Sequence, residues 1–259
     1  MKLFSKLFFI ALLIGLLAAC GSSDDTEEST DNSTEEKKVI KMGTSADYPP
    51  FESYDAEGNF EGFDIEIAQL IADELGYELK IEDMNFDGLI GALQSGTVDM
   101  VMSAMNATEE RKENVDFSIE YYHAGELFIS EPDAGIESLD DLEGKIVGVQ
   151  LGSIQAEGAD KLSEEYGFEV KKIDKANLLV QELKTNKIDV AFLDESVAVQ
   201  YMDEHDFVGF EDPTSSSPGF AVAFPKDSEL VAEVDPVIQE LIDSGKIEEL
   251  EEQWLSEAE

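Results

Sequence analysis

Residues 63–102 read FDIEIAQLIADELGYELKIEDMNFDGLIGALQSGTVDMVM. In the first third of this stretch the apolar side chains recur at helical spacing, so that Ile67, Leu70 and Ile71 share one face. Gly76 follows the last residue of the pattern, at a position where glycine commonly ends a helix. The stretch therefore predicts an amphipathic helix that buries one side.

The hydrophobic period then changes twice. Leu79 and Ile81 alternate with charged residues, as in a strand, and a second helical stripe covers residues 86–93. A nearly continuous apolar run, 98–102, predicts a buried strand. With a further strand predicted at 39–42 the order is βαβαβ, which is typical of a mostly parallel sheet flanked by helices.

The same order repeats farther along the chain. Strands are predicted at residues 145–149, 170–173 and 188–193, and helices at 153–166 and 176–185. A short internal similarity supports the repeat, since residues 93–100 and 183–190 both join a helix end to an apolar strand with one aspartate near its start. The sequence thus predicts two α/β lobes of similar build.

Two extended stretches, residues 125–130 and 219–224, are candidates for connections between the lobes. If both cross, the first lobe comprises residues 39–126 and 218–259, and the second comprises 127–217. The last part of the first lobe is predicted to be helical, and a proline at position 236 is expected to kink or restart that helix.

The N-terminus has the parts of an export signal. Lys2 and Lys6 precede an apolar run at 7–17, which is shorter than the roughly 20 residues that span a bilayer. The run ends in Leu-Ala-Ala before Cys20, the single cysteine of the chain. This pattern indicates a lipoprotein signal peptide, residues 1–19, with lipid attachment at Cys20; an ordinary small-residue cleavage site is the alternative. Residues 20–38 are polar and acidic and predict a disordered tether.

The composition is strongly acidic, with 60 acidic and 17 basic side chains and a formal net charge of −43. Such a surface repels nucleic acid and anionic lipid headgroups, so both are excluded as binding partners. Salt screening would relieve the self-repulsion. The composition therefore fits either a protein from a salty habitat or an acidic exported protein from a moderate one.

Polar and aromatic residues follow several predicted strands, at the edge where ligands bind in open α/β sheets. Tyr48 lies in a proline-stiffened loop, where an aromatic ring covers either a ligand or the core. Arg111 follows a strand and a possible helix cap at Thr108; it forms either a carboxylate fork or a surface ion pair. Ser153 opens a helix whose free N–H groups suit an anion, and Asp194 holds an ammonium or caps a helix.

Four motifs give the body of the chain a specific resemblance. In order and spacing they are similar to those of the bacterial family-3 solute-binding proteins, which bind polar amino acids for ABC importers. The motifs lie at residues 62–68 (GFDIEIA), 85–90 (NFDGLI), 108–118 (TEERK followed by VDFS) and 144–153 (GKIVGVQ followed by GS).

The resemblance implies a two-lobe clamshell of the periplasmic-binding-protein type II, with two hinge strands, that closes on its ligand. By position, Arg111 should bind the ligand's α-carboxylate with help from the backbone at Ser153 and Ile154. Asp194 in the other half of the clamp should bind the α-ammonium. The protein is then expected to be a lipid-anchored monomer on the outer face of the cytoplasmic membrane that serves an ABC permease, without metal or cofactor.

The resemblance also assigns the walls of the site. Tyr48 and Phe86 should sandwich the ligand side chain, and Ala104 and Asn106 should line the first lobe.

The family pattern is not followed everywhere. Many relatives that bind basic amino acids or glutamine have aspartate where this chain has Ser45, so Asp47 or Glu52 is a candidate substitute. Gln155 is a further candidate for contact with the ligand side chain. These departures leave the α-amino-acid clamp intact and leave the choice of amino acid open.

Three other functions are alternatives. An exported enzyme on this fold, similar to cyclohexadienyl dehydratase, would need a catalytic group, and neither His123 nor His205 follows a predicted strand. A sensor or adhesion ectodomain would need a further membrane span or signalling domain. A compatible solute such as ectoine would need an aromatic cage, to which Tyr48 and Phe86 could contribute.

Overall fold

The protein is described here by a computed structural model that covers residues 37–255. The strands are β1 Lys38–Thr44, β2 Ser53–Tyr54, β3 Phe60–Glu61, β4 Tyr77–Asp83, β5 Met100–Val101, β6 Val115–Tyr122, β7 Glu126–Ser130, β8 Ile146–Gln150, β9 Glu169–Ile173, β10 Val190–Asp194, β11 Val208–Glu211 and β12 Phe220–Pro225. The helices are α1 Phe63–Glu74, α2 Leu89–Gln94, α3 Glu109–Lys112, α4 Ile154–Tyr166, α5 Leu178–Lys184, α6 Glu195–His205, α7 Leu230–Asp243 and α8 Lys246–Trp254, with 3-10 turns at Phe86–Gly88 and Leu139–Leu142.

The first sheet has the strand order β4-β1-β5-β12-β6. Strand β1 pairs in parallel with β4 and β5, whereas β12 is antiparallel to β5 and β6. Helices α1, α2, α3, α7 and α8 accompany this sheet, and the whole is called lobe 1. Its core includes fully buried Met42 on β1 and Ile67 and Ile71 on α1, as the helical spacing of those two isoleucines predicts.

The second sheet has the order β11-β7-β10-β8-β9 and, with helices α4, α5 and α6, forms lobe 2. Strand β10 is parallel to β8 and antiparallel to β7. Every residue of β10 is buried, because the strand is central and covered on both faces.

The chain passes between the lobes twice. The first inter-lobe connection, residues 123–125, joins β6 of lobe 1 to β7 of lobe 2. The second inter-lobe connection, residues 212–219, joins β11 of lobe 2 to β12 of lobe 1. The prediction of a two-lobe α/β fold is confirmed. Each sheet is mixed, however, because β7 and β12 run antiparallel to their neighbours.

Some elements differ from the sequence prediction. The predicted strand at 98–102 is only two residues long, β5. Strand β6 was not predicted, although Val115, Phe117 and Ile119 alternate with polar residues. The short hairpin of β2 and β3 was also missed, since two-residue strands carry almost no periodic signal.

Of the two predicted effects of Pro236, a restart of the C-terminal helix at the proline is wrong. Helix α7 is continuous from Leu230 to Asp243, and the restart occurs at Gly245, which has a φ of 78°. Val234, Val237 and Ile238 are buried on both sides of the proline and hold the helix against lobe 1. Packing of this apolar face therefore outweighs the one backbone hydrogen bond that proline removes.

Among residues 37–255, no helix has the length and apolar character needed to cross a bilayer. The predicted signal peptide, the lipidation site at Cys20 and almost all of the predicted tether lie outside the described residues.

Candidate functional site

A small cavity lies between the two lobes, beyond the ends of β5, β8 and β10. Its volume is about 10 Å³, which is close to the space of a single water molecule. An amino acid is much larger, so its entry requires the lobes to move apart. The lining residues are Tyr48, Phe86, Ser103, Ala104, Asn106, Gln150, Ser153, Ile154, Gln155 and Asp194.

Asp194 forms one pole of the cavity, at the end of β10. Its carboxylate accepts hydrogen bonds from Tyr48 Oη at 2.7 Å and from Gln155 Nε2 at 3.1 Å. It stands at the start of α6 but makes no side-chain cap bond there, so the carboxylate serves the cleft rather than the helix. The bond from Tyr48 crosses from lobe 1 to lobe 2.

Burial raises the pKa of the Asp194 carboxyl to about 7, and the nearby charge of Glu126 acts in the same direction. Burial dominates because an ionised carboxylate loses its hydration inside the protein. The hydrogen bonds from Tyr48 and Gln155 lower this pKa but do not cancel the effect of burial. A cation placed beside Asp194 would favour the ionised form.

Arg111, on the short helix α3, lies beside the cavity and is the second pole of the site. Thr108 caps this helix by accepting the Arg111 N–H at 3.2 Å, as predicted. The guanidinium donates to the carbonyl oxygens of Asn106 at 2.9 Å and Gly152 at 3.0 Å, and its Cζ lies 5.4 Å from the centre of the Phe86 ring. Within the described part of the chain this buried cation thus bonds to neutral carbonyls, which leaves its charge to attract an anion.

The start of α4 faces Arg111 across the cleft. Ser153 caps the helix by accepting the Ala156 N–H at 3.1 Å. Gly152, just before it, has a φ of 81°, and a Cβ there would approach Asp87 to 3.0 Å. The turn therefore requires glycine. It places the start of α4 next to Arg111, whose guanidinium donates to the Gly152 carbonyl, and the start of a helix offers free N–H groups to an anion.

The wall of lobe 1 is held from behind by a buried carboxyl. Ala104 has an unusual φ of 45° for a residue other than glycine, and its N–H donates to Asp64 at 2.7 Å. Tyr121 Oη also donates to Asp64, at 2.8 Å. Burial raises the pKa of Asp64 to about 7. Asp64 thereby stabilises a backbone conformation that exposes Ala104 to the cavity.

A second buried carboxyl, Glu52, lies behind Ser103. Ser103 Oγ donates to Glu52 Oε1 at 2.7 Å, and burial, followed by the charge of Asp64, raises the Glu52 pKa well above its usual range. Within residues 37–255, Glu52 Oε2 and Gln150 Nε2 are buried without a hydrogen-bond partner. Unpartnered buried polar atoms are rare and costly in native structures.

Asp47 makes a contact between the lobes rather than lining the cavity. One carboxylate oxygen accepts from Ser45 Oγ at 2.6 Å, and the other accepts from the backbone N–H of Ala176 at 2.6 Å, across the cleft. Both of its oxygens and the Ser45 hydroxyl are thus engaged away from the cavity.

Eight residues were predicted to contact the ligand, and the structure brings them together. Seven line the cavity, and Arg111 lies against the Phe86 ring beside it. Of the candidates for side-chain preference, Gln155 lines the cavity, whereas Ser45, Asp47 and Glu52 do not. Sequence reasoning missed Ser103 and Gln150, although each lies close to the end of a buried strand.

The buried pole at Asp194 leads to a prediction about stability without ligand. A raised carboxyl pKa means that the folded protein binds the proton more tightly than the unfolded chain, so stability falls as the pH rises from about 4 towards 7. A shift from 3.8 to about 7 corresponds to roughly 4 kcal/mol at about 1.4 kcal/mol per unit. Asp194→Asn should therefore flatten the decline of Tm between pH 4 and pH 8.

The matched control for this prediction is Asp203→Asn, which removes the same charge from an exposed site on α6. Self-repulsion of the acidic surface lowers Tm with rising pH in both variants, so only the difference in slope reports on the burial of Asp194. Equal slopes in the two variants would contradict the prediction.

The chain is similar to known proteins over nearly its whole length. The family described as bacterial extracellular solute-binding proteins, family 3, matches residues 40–257. The arginine-binding extracellular protein ArtP of Bacillus subtilis (strain 168) is 44% identical over 259 residues, with 99% of each chain covered.

Solved structures of related proteins share the fold. An ancestral arginine-binding protein bound to arginine superposes with a TM-score of 0.79 at 37% identity, covering 85% of this chain and 99% of that one. The same kind of protein bound to glutamine has a TM-score of 0.79 at 36% identity, covering 86% and 100%. The chain therefore belongs to the bacterial extracellular solute-binding proteins, family 3.

Proposed function

We propose that this protein captures L-arginine outside the cytoplasmic membrane and delivers it to an ABC permease. Arg111 takes the α-carboxylate together with the first N–H groups of α4, and Asp194 takes the α-ammonium. Tyr48 and Phe86 enclose the side chain between them. The two poles belong to different lobes, so one ligand that bridges them stabilises the closed arrangement.

The observation that carries the choice of arginine is the unpartnered oxygen of Glu52, behind Ser103 in lobe 1. Among the described residues, Glu52 Oε2 is buried without a hydrogen-bond partner. When the lobes part, a guanidinium inserted past Ser103 offers donors to this carboxylate. A charged donor satisfies a buried carboxylate better than a neutral one.

The relatives are consistent with this choice. ArtP of Bacillus subtilis is named for arginine, and the ancestral protein was solved with arginine and with glutamine. Glutamine shares the α-amino-acid part of arginine but lacks its positive charge. A comparison of charged and uncharged ligands therefore tests whether the distal charge contributes to affinity.

We further infer that the chain is lipid-anchored through Cys20 and acts as a monomer. The lipobox-like sequence before Cys20 supports the anchor, and the polar stretch that follows would give the folded body reach above the membrane. A single ligand site enclosed by two lobes of one chain needs no second copy.

Calorimetric titration with three matched ligands tests the function. L-arginine should bind with heat and raise Tm, whereas L-citrulline, which has the same shape without the charge, should bind at least about tenfold more weakly, as expected for losing a charged hydrogen bond of about 1.5–3 kcal/mol. Agmatine, which lacks the carboxylate, should also be weak. Histidine, lysine, cystine and ectoine complete the panel.

The results have distinct meanings. Equal affinity for arginine and citrulline would contradict the charged distal site while leaving the amino-acid clamp. Tight binding of ectoine with no amino acid bound would contradict the proposed function as a whole.

A further inference from the structure

Glu126 lies beside Asp194, at the end of the first inter-lobe connection, and its carboxyl accepts hydrogen bonds from the second. We propose that Glu126 is a positioning residue that couples ligand binding at Asp194 to the geometry of the hinge. The proposal rests on the proposed function, in that it takes Asp194 as the residue that meets the ligand's ammonium.

Strand register places Glu126 next to Asp194. Glu126 is the first residue of β7, directly after the first inter-lobe connection, and it pairs with Asp194 across the antiparallel strands β7 and β10. Directly opposed residues on such strands have neighbouring side chains on the same face. Two buried carboxyls therefore lie side by side, with 7% and 4% exposure.

The Gln155 amide interacts with the ligand pole beside Glu126. Its Nε2 donates to Asp194 Oδ1 at 3.1 Å, and Gln155 also lowers the pKa of the Glu126 carboxyl, which burial raises. The two neighbouring carboxyls repel each other when both are ionised. A ligand ammonium at Asp194 would reduce that repulsion and favour the paired arrangement.

Glu126 also contacts the second inter-lobe connection. Ser215 Oγ and Ser217 Oγ both donate to Glu126 Oε2, the latter at 3.1 Å. The Asp212 N–H donates to the Glu126 carbonyl at 2.9 Å. One residue at the end of the first connection therefore holds the second connection through three hydrogen bonds.

These contacts define what Glu126 does. When the lobes close, both connections must reach one fixed relative position, because each is a short segment that absorbs the rotation. The two serines fix that position through Glu126, and the pairing of β7 with β10 holds Glu126 next to Asp194, the ligand pole. Without the serine hydroxyls the closed state becomes less stable relative to the open state, so the ligand dissociates faster.

The test compares Ser215→Ala/Ser217→Ala with Ser216→Ala, which removes an exposed hydroxyl from the same loop. Arginine affinity is measured by calorimetry and the dissociation rate by stopped flow. The double variant should dissociate arginine about tenfold faster, with the association rate changed little and the ratio of arginine to citrulline affinity unchanged. Restoring hydroxyls with Ser215→Thr/Ser217→Thr should recover the wild-type rate.

Other outcomes would overturn the inference. If the double variant matches Ser216→Ala in affinity and rate, the coupling is absent even where Tm falls. If the ratio of arginine to citrulline changes, Glu126 acts on the ligand side chain and not on the hinge. A wild-type protein that does not bind arginine would contradict the proposed function, whereas normal wild-type binding with an unaltered double variant contradicts this inference alone.

Discussion

Arg111→Ala should reduce the affinity for L-arginine by on the order of a hundredfold or more. Truncating one partner of a buried charge pair costs 2–5 kcal/mol or more, and about 1.4 kcal/mol corresponds to tenfold in affinity. In the structure, Arg111 bonds across the cleft to the Gly152 carbonyl at 3.0 Å. When the lobes part, that donor becomes available to the ligand's carboxylate.

Two comparison variants separate charge from geometry. Arg111→Lys keeps the positive charge but loses the planar fork, so it should recover only part of the affinity. Lys112→Ala removes a half-exposed cation from the same helix, where Lys112 pairs with Glu109 at 2.9 Å. Such exposed pairs contribute little, so affinity in this variant should stay near the wild-type value.

Agmatine provides an internal check, because it has no carboxylate. Its weak binding should be insensitive to Arg111→Ala, and calorimetry on both proteins measures the difference. A loss for agmatine as large as that for arginine would indicate that the substitution damages the cleft in general. In that case Arg111 would not be the carboxylate partner.

The two poles of the site, Arg111 and Asp194, were predictable because each lies next to a recognisable local sequence feature. Arg111 follows a capping threonine, and Asp194 ends an apolar strand, so topology alone brings both to the cleft. Hydrophobic periodicity likewise predicted the long helix α1 and the buried strand β10. In these cases the polar side chain and the secondary structure that positions it lie within the same short stretch of sequence.

The remaining features depend on distant pairings that no short window contains. Glu126 faces Asp194 only because β7 and β10 pair in one particular register. Asp47 was a candidate for ligand contact, yet its carboxylate meets the Ala176 N–H, 129 residues away. Whether Glu52 touches the cavity or sits behind Ser103 is likewise decided by packing, not by spacing along the chain.

Arginine binding should release a proton from Glu52, in addition to the proton that any α-amino acid displaces from Asp194. Burial and the charge of Asp64 raise the pKa of Glu52 well above its usual range, so the free protein holds this proton. A guanidinium favours the ionised form, and the proton leaves when the ligand binds. The affinity for arginine should therefore increase as the pH rises towards the pKa of Glu52 in the free protein.

Asp194 also titrates, with a pKa raised to about 7, and an α-ammonium should likewise displace its proton. Citrulline carries the same α-ammonium as arginine, so its pH dependence reports on Asp194 without Glu52. The difference between the two ligands isolates Glu52. Calorimetry in buffers with different ionisation enthalpies gives the number of protons released by each ligand.

Glu52→Gln is the corresponding substitution. Its amide oxygen can still accept from Ser103, so the wall of lobe 1 is retained while the charge is lost. Arginine should then bind on the order of tenfold or more weakly, given about 1.5–3 kcal/mol for a charged hydrogen bond, and citrulline should bind unchanged. The extra proton released with arginine should disappear.

Asp47→Asn is the matched control, because Asp47 is also a buried acid of the same loop but contacts Ser45 and Ala176. Weakening this contact between the lobes should affect arginine and citrulline alike and leave their affinity ratio unchanged. If Glu52→Gln also leaves that ratio unchanged, the guanidinium is not held by Glu52. The charge preference would then have to come from Asp194 and the acidic surroundings of the cleft, which act on every cationic ligand without regard to shape.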